Sequence, residues 1–229
     1  VWLCVGMTLS GYAAFYAATW EEYQTGTLFL DFISGPVEGA WGLVCCSFLS
    51  AVLGVTFWDN EIGGVAIKNL VPPIYMLGSL FSLKTSFQHA LEAKKSSAIQ
   101  LLRQLVPVSL YHASCLALFY FNSERIKLHW FIFFTPLPPS FRIRSTIVAH
   151  ITKQGKLQQF FYPLELFPLA ALILGFSTAD KDALTSFMVF GTLISFVVYM
   201  ASMLAIISDI CTFLDINCLT IKEKKEIKE

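Results

Sequence analysis

Apolar and polar positions in this chain come in blocks rather than in alternation. Long apolar stretches run over residues 1–19, 37–57, 70–88, 104–122, 129–149, 159–177 and 185–207, with most charged residues gathered in the gaps. Each is close to the roughly 20 residues that a helix needs to cross a hydrocarbon core. A helix satisfies its own backbone in lipid, so the pattern predicts an all-α integral membrane protein of about seven transmembrane helices. The fifth stretch is the least regular: Pro136, Pro138 and Pro139 interrupt it, and Arg142 and Arg144 stand in its second half. Proline is tolerated where neighbouring helices satisfy the freed carbonyls, and the two arginines are expected to snorkel to an interface. With no internal repeat or low-complexity linker, residues 1–207 read as one transmembrane helical domain and 208–229 as a cytosolic tail.

Composition agrees with the pattern. The 229 residues are 55% hydrophobic and 14% charged, with mean hydropathy +0.63, whereas soluble domains carry about a quarter charged residues. Disorder is excluded by the surplus of apolar surface. The 16 basic and 16 acidic residues cancel, so no basic face exists for a nucleic acid. The cysteines (Cys4, Cys45, Cys46, Cys115, Cys211 and Cys218) lack paired spacing and sit mostly in apolar runs. They read as small packing residues rather than a disulfide or zinc framework.

Charge sets the orientation. The gaps after the first, third, fifth and seventh stretches hold Lys84, Lys94, Lys95, Arg103, Lys153, Lys156, Lys222, Lys224, Lys225 and Lys228; the opposite side holds Lys68, Arg125, Lys127 and Lys181. The positive-inside rule then places the 20–36 connection and the C-terminus in the cytosol. Val1 would face the lumen. Because Val1 opens directly in an apolar run, without a basic n-region or cleavage site, it does not read as a signal peptide, and a preceding part of a longer protein is expected. Residues 89–103 read as an interfacial helix with Leu91, Ile99 and Leu102 to one side. The segment after Ile207 looks similar, and the run 222–229 reads as a solvated tail.

Candidate chemistry concentrates in Thr19 to Gly39, TWEEYQTGTLFLDFISGPVEG, where Glu21, Glu22, Asp31 and Glu38 occur without a basic residue. Such carboxylates can bind a divalent cation or act as a base on a hydroxyl; a plain solvated loop is the competing reading. Glu38 heads an apolar helix, where it is either a functional group at membrane depth or a partner of the helix dipole. Glu165, between Pro163 and Pro168, and His112, within the fourth stretch, are weaker candidates. His89, His150 and Asp209 fall at cytosolic ends where water can satisfy them. No zincin, Walker, nucleophile-elbow or EF-hand pattern is present.

Three stretches resemble one family. TWEEYQTGTLFLDFISGPVEG is similar to the corresponding part of eukaryotic cholinephosphotransferases and ethanolaminephosphotransferases, the fungal and plant members especially. RSTIVAHITKQ resembles their late cytosolic segment and SDICTFLDINCLTIK their C-terminal tail. The resemblance implies a class I CDP-alcohol phosphotransferase. Such enzymes transfer phosphocholine or phosphoethanolamine from CDP-choline or CDP-ethanolamine to diacylglycerol, with release of CMP, at endoplasmic reticulum or Golgi membranes. It also implies about ten helices, a cytosol-facing site and Mg²⁺ or Mn²⁺, since phosphoryl transfer needs charge neutralisation and in-line positioning. A homodimer is compatible with it.

The chain departs from the family twice. The catalytic pattern DGxxAR, then eight residues, Gly, three residues, Asp, three residues, Asp is absent, and the aspartates Asp31, Asp59, Asp180, Asp182, Asp209 and Asp215 include no D-x-x-x-D pair. No metal ligand is therefore assigned here. Residues 1–207 are expected to be a partial catalytic domain, the later part of a roughly ten-helix fold, inactive alone. Gln24 stands where similar relatives often have histidine. Glu38 and Glu22 are the candidate active-site wall residues, and Glu21, Tyr23 and Gln24 the candidate substrate-binding ones. The alternatives are a transporter with an acidic pocket around Glu38 and Glu165, or a degenerate partner subunit. The broken fifth stretch lacks the first-half counterpart that a transporter's paired repeats would supply.

Overall fold

Nearly every apolar block becomes a helix, and the helices end where proline, glycine or a capping side chain intervenes. In the computed structural model these are α1 (Trp2–Thr25), α2 (Pro36–Leu53), α3 (Ile67–Glu92), α4 (Ala98–Asn122), α5 (Leu128–Phe134), α6 (Leu137–Ile151), α7 (Phe167–Ser177) and α8 (Lys181–Leu214). The structure describes residues 2–29, 36–93, 96–153, 162–178 and 180–220, without the side chains of 36–40 and 43. Asp31, Lys94, Lys95, Lys156 and the 222–229 run lie outside the described residues.

Two helices, α4 and α8, are both long and apolar enough to cross a membrane. At 1.5 Å per residue they span about 38 and about 51 Å. Helices α1 and α3 have 24 and 26 residues but are less uniformly apolar.

Three boundaries differ from the sequence expectation. The 89–103 interfacial helix is broken: His89 to Glu92 close α3, and α4 starts after Ser97. Ser97 Oγ accepts from the Gln100 amide at 3.4 Å, and Gln100 Oε1 accepts from the Ser97 amide at 3.0 Å. This capping box satisfies two otherwise orphaned donors and fixes a helix start there. The fifth stretch is two helices, because Pro136, Pro138 and Pro139 occupy the entry to α6, where proline's missing N–H is not needed. At the far end, α8 continues beyond 207 to Leu214, where Asp215 turns into the left-handed region at φ 53°.

Packing divides into two interiors joined by α1. Val5 and Leu9 from its first half sit with Tyr111, Leu118, Phe119, Phe131, Phe134, Ala171, Leu184 and Met188. Tyr16, Trp20 and Tyr23 from its second half sit with Ala90, Leu101, Val108, Ile143 and Ala149. Helices α1 and α3 approach closely: a Cβ at Gly6 would lie 2.8 Å from Met76 Sδ, and one at Gly11 2.7 Å from Tyr75 Oη. Small residues permit such contact, which drives helix association where lipid removes the hydrophobic contrast. Helix α2 is tied through the 3₁₀ turn Val55–Asp59, where Trp58 Nε1 donates to Ser50 Oγ at 2.8 Å. A short hairpin, β1 (Glu61–Ile62) and β2 (Val65–Ala66), leads into α3. The outer faces of α2 and α8 leave Trp41, Phe48, Phe190, Phe196 and Leu204 exposed. Soluble monomers rarely expose apolar surface on that scale, and a bilayer covers it.

Candidate functional site

The last turns of α1 carry the acidic motif, and the helix continues through Thr25 instead of ending in a loop. Glu21 and Glu22 are thus held on a rigid element at the end of α1. Glu21 is 3% exposed and faces α3, where its Oε1 lies 2.5 Å from His89 Nδ1. The ring of Phe29 covers His89 at a centroid distance of 4.9 Å. His89, expected to be satisfied by water, is therefore half-buried against a carboxylate. Glu22 is half-buried on the same turn.

One helical turn separates Trp20 from Gln24, so both reach the same neighbour on α4. Trp20 Nε1 and Gln24 Nε2 each donate to Gln104 Oε1 at 2.7 Å. Ser96 Oγ donates to Gln24 Oε1 at 3.4 Å, and Trp20 stacks on Phe87 at 6.3 Å. Gln24 and Tyr23 are buried. Gln24 acts here as a hydrogen-bonded link between α1 and α4.

A second polar group lies beside the same part of α1. Arg142 Nε donates to Glu165 Oε1 at 2.7 Å, and its Nη2 to Oε2 at 2.6 Å. Both residues are 3% exposed, so Arg142 does not snorkel to an interface. The bidentate fork matches the carboxylate plane. Glu165 also accepts from the Tyr162 amide at 3.1 Å, and the guanidinium lies 5.3 Å from the Tyr162 ring centre. The Tyr16 hydroxyl is buried without a hydrogen-bond partner among the described residues. Sequence reasoning ranked Glu165 low and treated Arg142 as an interfacial anchor. The available signal was that each lay in an apolar stretch with no other way to neutralise its charge.

His112 bonds backbone instead of forming a site: Nδ1 is 2.7 Å from the Val108 carbonyl and Nε2 3.1 Å from that of Leu9. Glu38 lies in the first turn of α2, but its side chain is outside the description, as is Asp31. Among the described residues no three His, Cys, Asp or Glu side chains converge. Glu21 and Glu165 are engaged by His89 and Arg142. Binding of Mg²⁺ or Mn²⁺ for phosphoryl transfer calls for grouped oxygen ligands, so the described side chains do not fit such an ion.

The chain is thus mostly helical, with two helices long and apolar enough to cross a membrane and a buried polar cluster beside the end of α1. No family model matches the chain. It is 27% identical to CDP-alcohol phosphatidyltransferase class-I family protein 3 of Dictyostelium discoideum, over 92% of this chain and 61% of that protein. It is 30% identical to choline/ethanolaminephosphotransferase 1 of Saccharomyces cerevisiae, over 92% of this chain and 60% of that one. A 49-residue stretch is 43% identical to choline/ethanolaminephosphotransferase 1 of Arabidopsis thaliana, covering 21% of this chain and 13% of that protein. The proteins it resembles over most of its length are class-I CDP-alcohol phosphatidyltransferases and choline/ethanolaminephosphotransferases, as its three motif stretches led us to expect. It spans about three-fifths of the length of the curated relatives it matches.

Proposed function

We propose that this chain is part of an enzyme that transfers phosphocholine or phosphoethanolamine from CDP-choline or CDP-ethanolamine to diacylglycerol, forming phosphatidylcholine or phosphatidylethanolamine and CMP. The observation that carries this reading is similarity to choline/ethanolaminephosphotransferases across 92% of the chain. In this reading the chain contributes about seven membrane crossings, with α5 and α6 together as the fifth and the turn before α7 extending the sixth. The C-terminus faces the cytosol of endoplasmic reticulum or Golgi membranes. Mg²⁺ or Mn²⁺ would neutralise phosphate charge on ligands other than the described side chains of this chain. Diacylglycerol arrives from the bilayer and the nucleotide from the cytosol, so the reaction belongs at the cytosolic interface.

Within that reading the last turn of α1 and the first turn of α2 wall the site. Glu22, half-buried beside the fixed Glu21–His89 pair, and Glu38, by its place in the first turn of α2, are the wall residues of this reading. Glu21, Tyr23 and Gln24 set the wall's shape through α3 and α4, which supports a positioning role for them.

The test is CMP release by microsomes in which residues 1–229 are joined to a relative's segment carrying DGxxAR and its paired aspartates, given either CDP-alcohol with diacylglycerol and Mg²⁺ or Mn²⁺. Metal-dependent release is expected, and no release with either donor would sink the transferase reading. Residues 1–229 expressed alone are expected to be inactive, because DGxxAR and its paired aspartates are absent from them; robust activity would overturn that. Unchanged rates for Glu22→Gln and Glu38→Gln would remove both from the wall.

A further inference from the structure

Arg142 and Arg144 stand two residues apart on α6, so their side chains leave the helix in different directions. Arg142 is matched by Glu165. Arg144 has no carboxylate within ion-pair distance among the described residues. Instead Nη1 donates to Ser202 Oγ on α8, and the guanidinium carbon lies 4.8 Å from the ring centre of Phe141 and 5.5 Å from that of Tyr199. Its Nε is buried without a partner among the described residues.

Other charges along this seam leave it positive. Helix α6 carries no acidic residue, and His150 and Lys153 follow Arg144 toward its C-terminal end. The His150 Nδ1 is buried and unpartnered as well. Asp209, two turns past Ser202 on α8, is exposed and forms no ion pair. Beside the guanidinium, Ile147 and Ile151 on α6 and Val198 on α8 are exposed apolar side chains. A half-buried cation at an apolar, bilayer-facing seam calls for an anion that arrives with hydrocarbon attached.

We propose that the α6–α8 seam binds the phosphate of a membrane phospholipid, with Arg144 as the cation and acyl chain along Ile147, Ile151 and Val198. Two aromatic faces hold the guanidinium plane, Nη1 donates to Ser202 and Nε is buried, so Nη2 is the donor left for a phosphate oxygen. The rival account is purely structural: aromatic stacking and the serine bond simply clamp α6 to α8. The proposal rests on the membrane-spanning reading; phosphatidylcholine is also a product of the proposed reaction, so it is the loss of the response in Arg144 variants that reports on this seam, and failure there would leave CMP release untouched.

Thermal unfolding of the full chain in detergent separates the two accounts. Dioleoyl phosphatidylcholine is expected to raise the midpoint by about 4 °C, while dioleoylglycerol and inorganic phosphate are expected to leave it in place. In Arg144→Gln the phosphatidylcholine rise disappears; reading the shift within each variant removes the lower baseline left by the lost serine bond. An equal rise in both proteins, a rise matched by dioleoylglycerol, or a response to inorganic phosphate alone overturns the site. Arg144→Lys guards against a misfolded glutamine variant. Phospholipid retained on the intact protein, counted by mass spectrometry, is expected to fall several-fold in it, because an ammonium lacks the guanidinium plane that the two rings hold; undiminished retention counts against the proposal.

Discussion

Helix α1 passes through two interiors of different kinds. Around Val5 and Leu9 the neighbours are leucine, phenylalanine and methionine side chains, and closeness of fit is the main source of cohesion. Around Tyr16 to Gln24 the neighbours include Gln104, His89 and the Arg142–Glu165 pair, and cohesion depends on paired donors and acceptors, the Tyr16 hydroxyl excepted. Apart from Tyr111, whose hydroxyl donates to the Thr135 carbonyl at 2.6 Å, the first interior can be repacked by apolar side chains of suitable volume. The second cannot, because a single missing partner leaves a desolvated polar group behind. A chain that keeps such a cluster buried holds its polar groups in one arrangement.

That contrast can be broken at graded cost. The largest effect is expected from Arg142→Met, which strands Glu165 and should cost about 3–5 kcal/mol, whereas Arg142→Met with Glu165→Leu should recover most of it. A double-mutant cycle by unfolding in detergent decides this, and additive losses would show that the pair is not coupled. In the apolar interior Phe131→Ala should cost about 3 kcal/mol through the cavity it leaves, and Phe131→Leu clearly less. Gln104→Leu removes the shared acceptor of Trp20 and Gln24 and should cost about 1–3 kcal/mol despite conserving volume; a neutral result would make the cluster no different from the apolar core. The smallest change in stability, about 1 kcal/mol or less, is expected from Glu21→Gln, since the His89 side chain is 33% exposed and water screens the pair. CMP release should fall out of proportion to that loss if Glu21 fixes the wall of the site.

Much of the helical layout was legible in hydropathy, because each apolar block had to become a helix in lipid. The errors fell where local side-chain chemistry outweighs average hydropathy. Ser97 and Gln100 close a capping box across the expected 89–103 helix, and Pro136 splits the fifth stretch into α5 and α6. Of the site, the carboxylates were visible and their partners were not. Glu21 meets His89 and Gln24 meets Gln104 only because α1 lies against α3 and α4. Counting ionisable groups in apolar stretches could have paired Arg142 with Glu165, since neither could stay charged there alone.

By itself the sequence determined the class of chain, its helices, its membrane setting and its family resemblance. All of these follow from hydrophobic surface and local motifs, which act through neighbouring residues. Tertiary structure alone decided which charges are neutralised: Arg142 found Glu165 while Arg144, two residues on, found aromatic rings and a serine. The physical reason is that a charge's cost depends on what surrounds it in space, and helix packing assembles those surroundings from segments far apart in the chain.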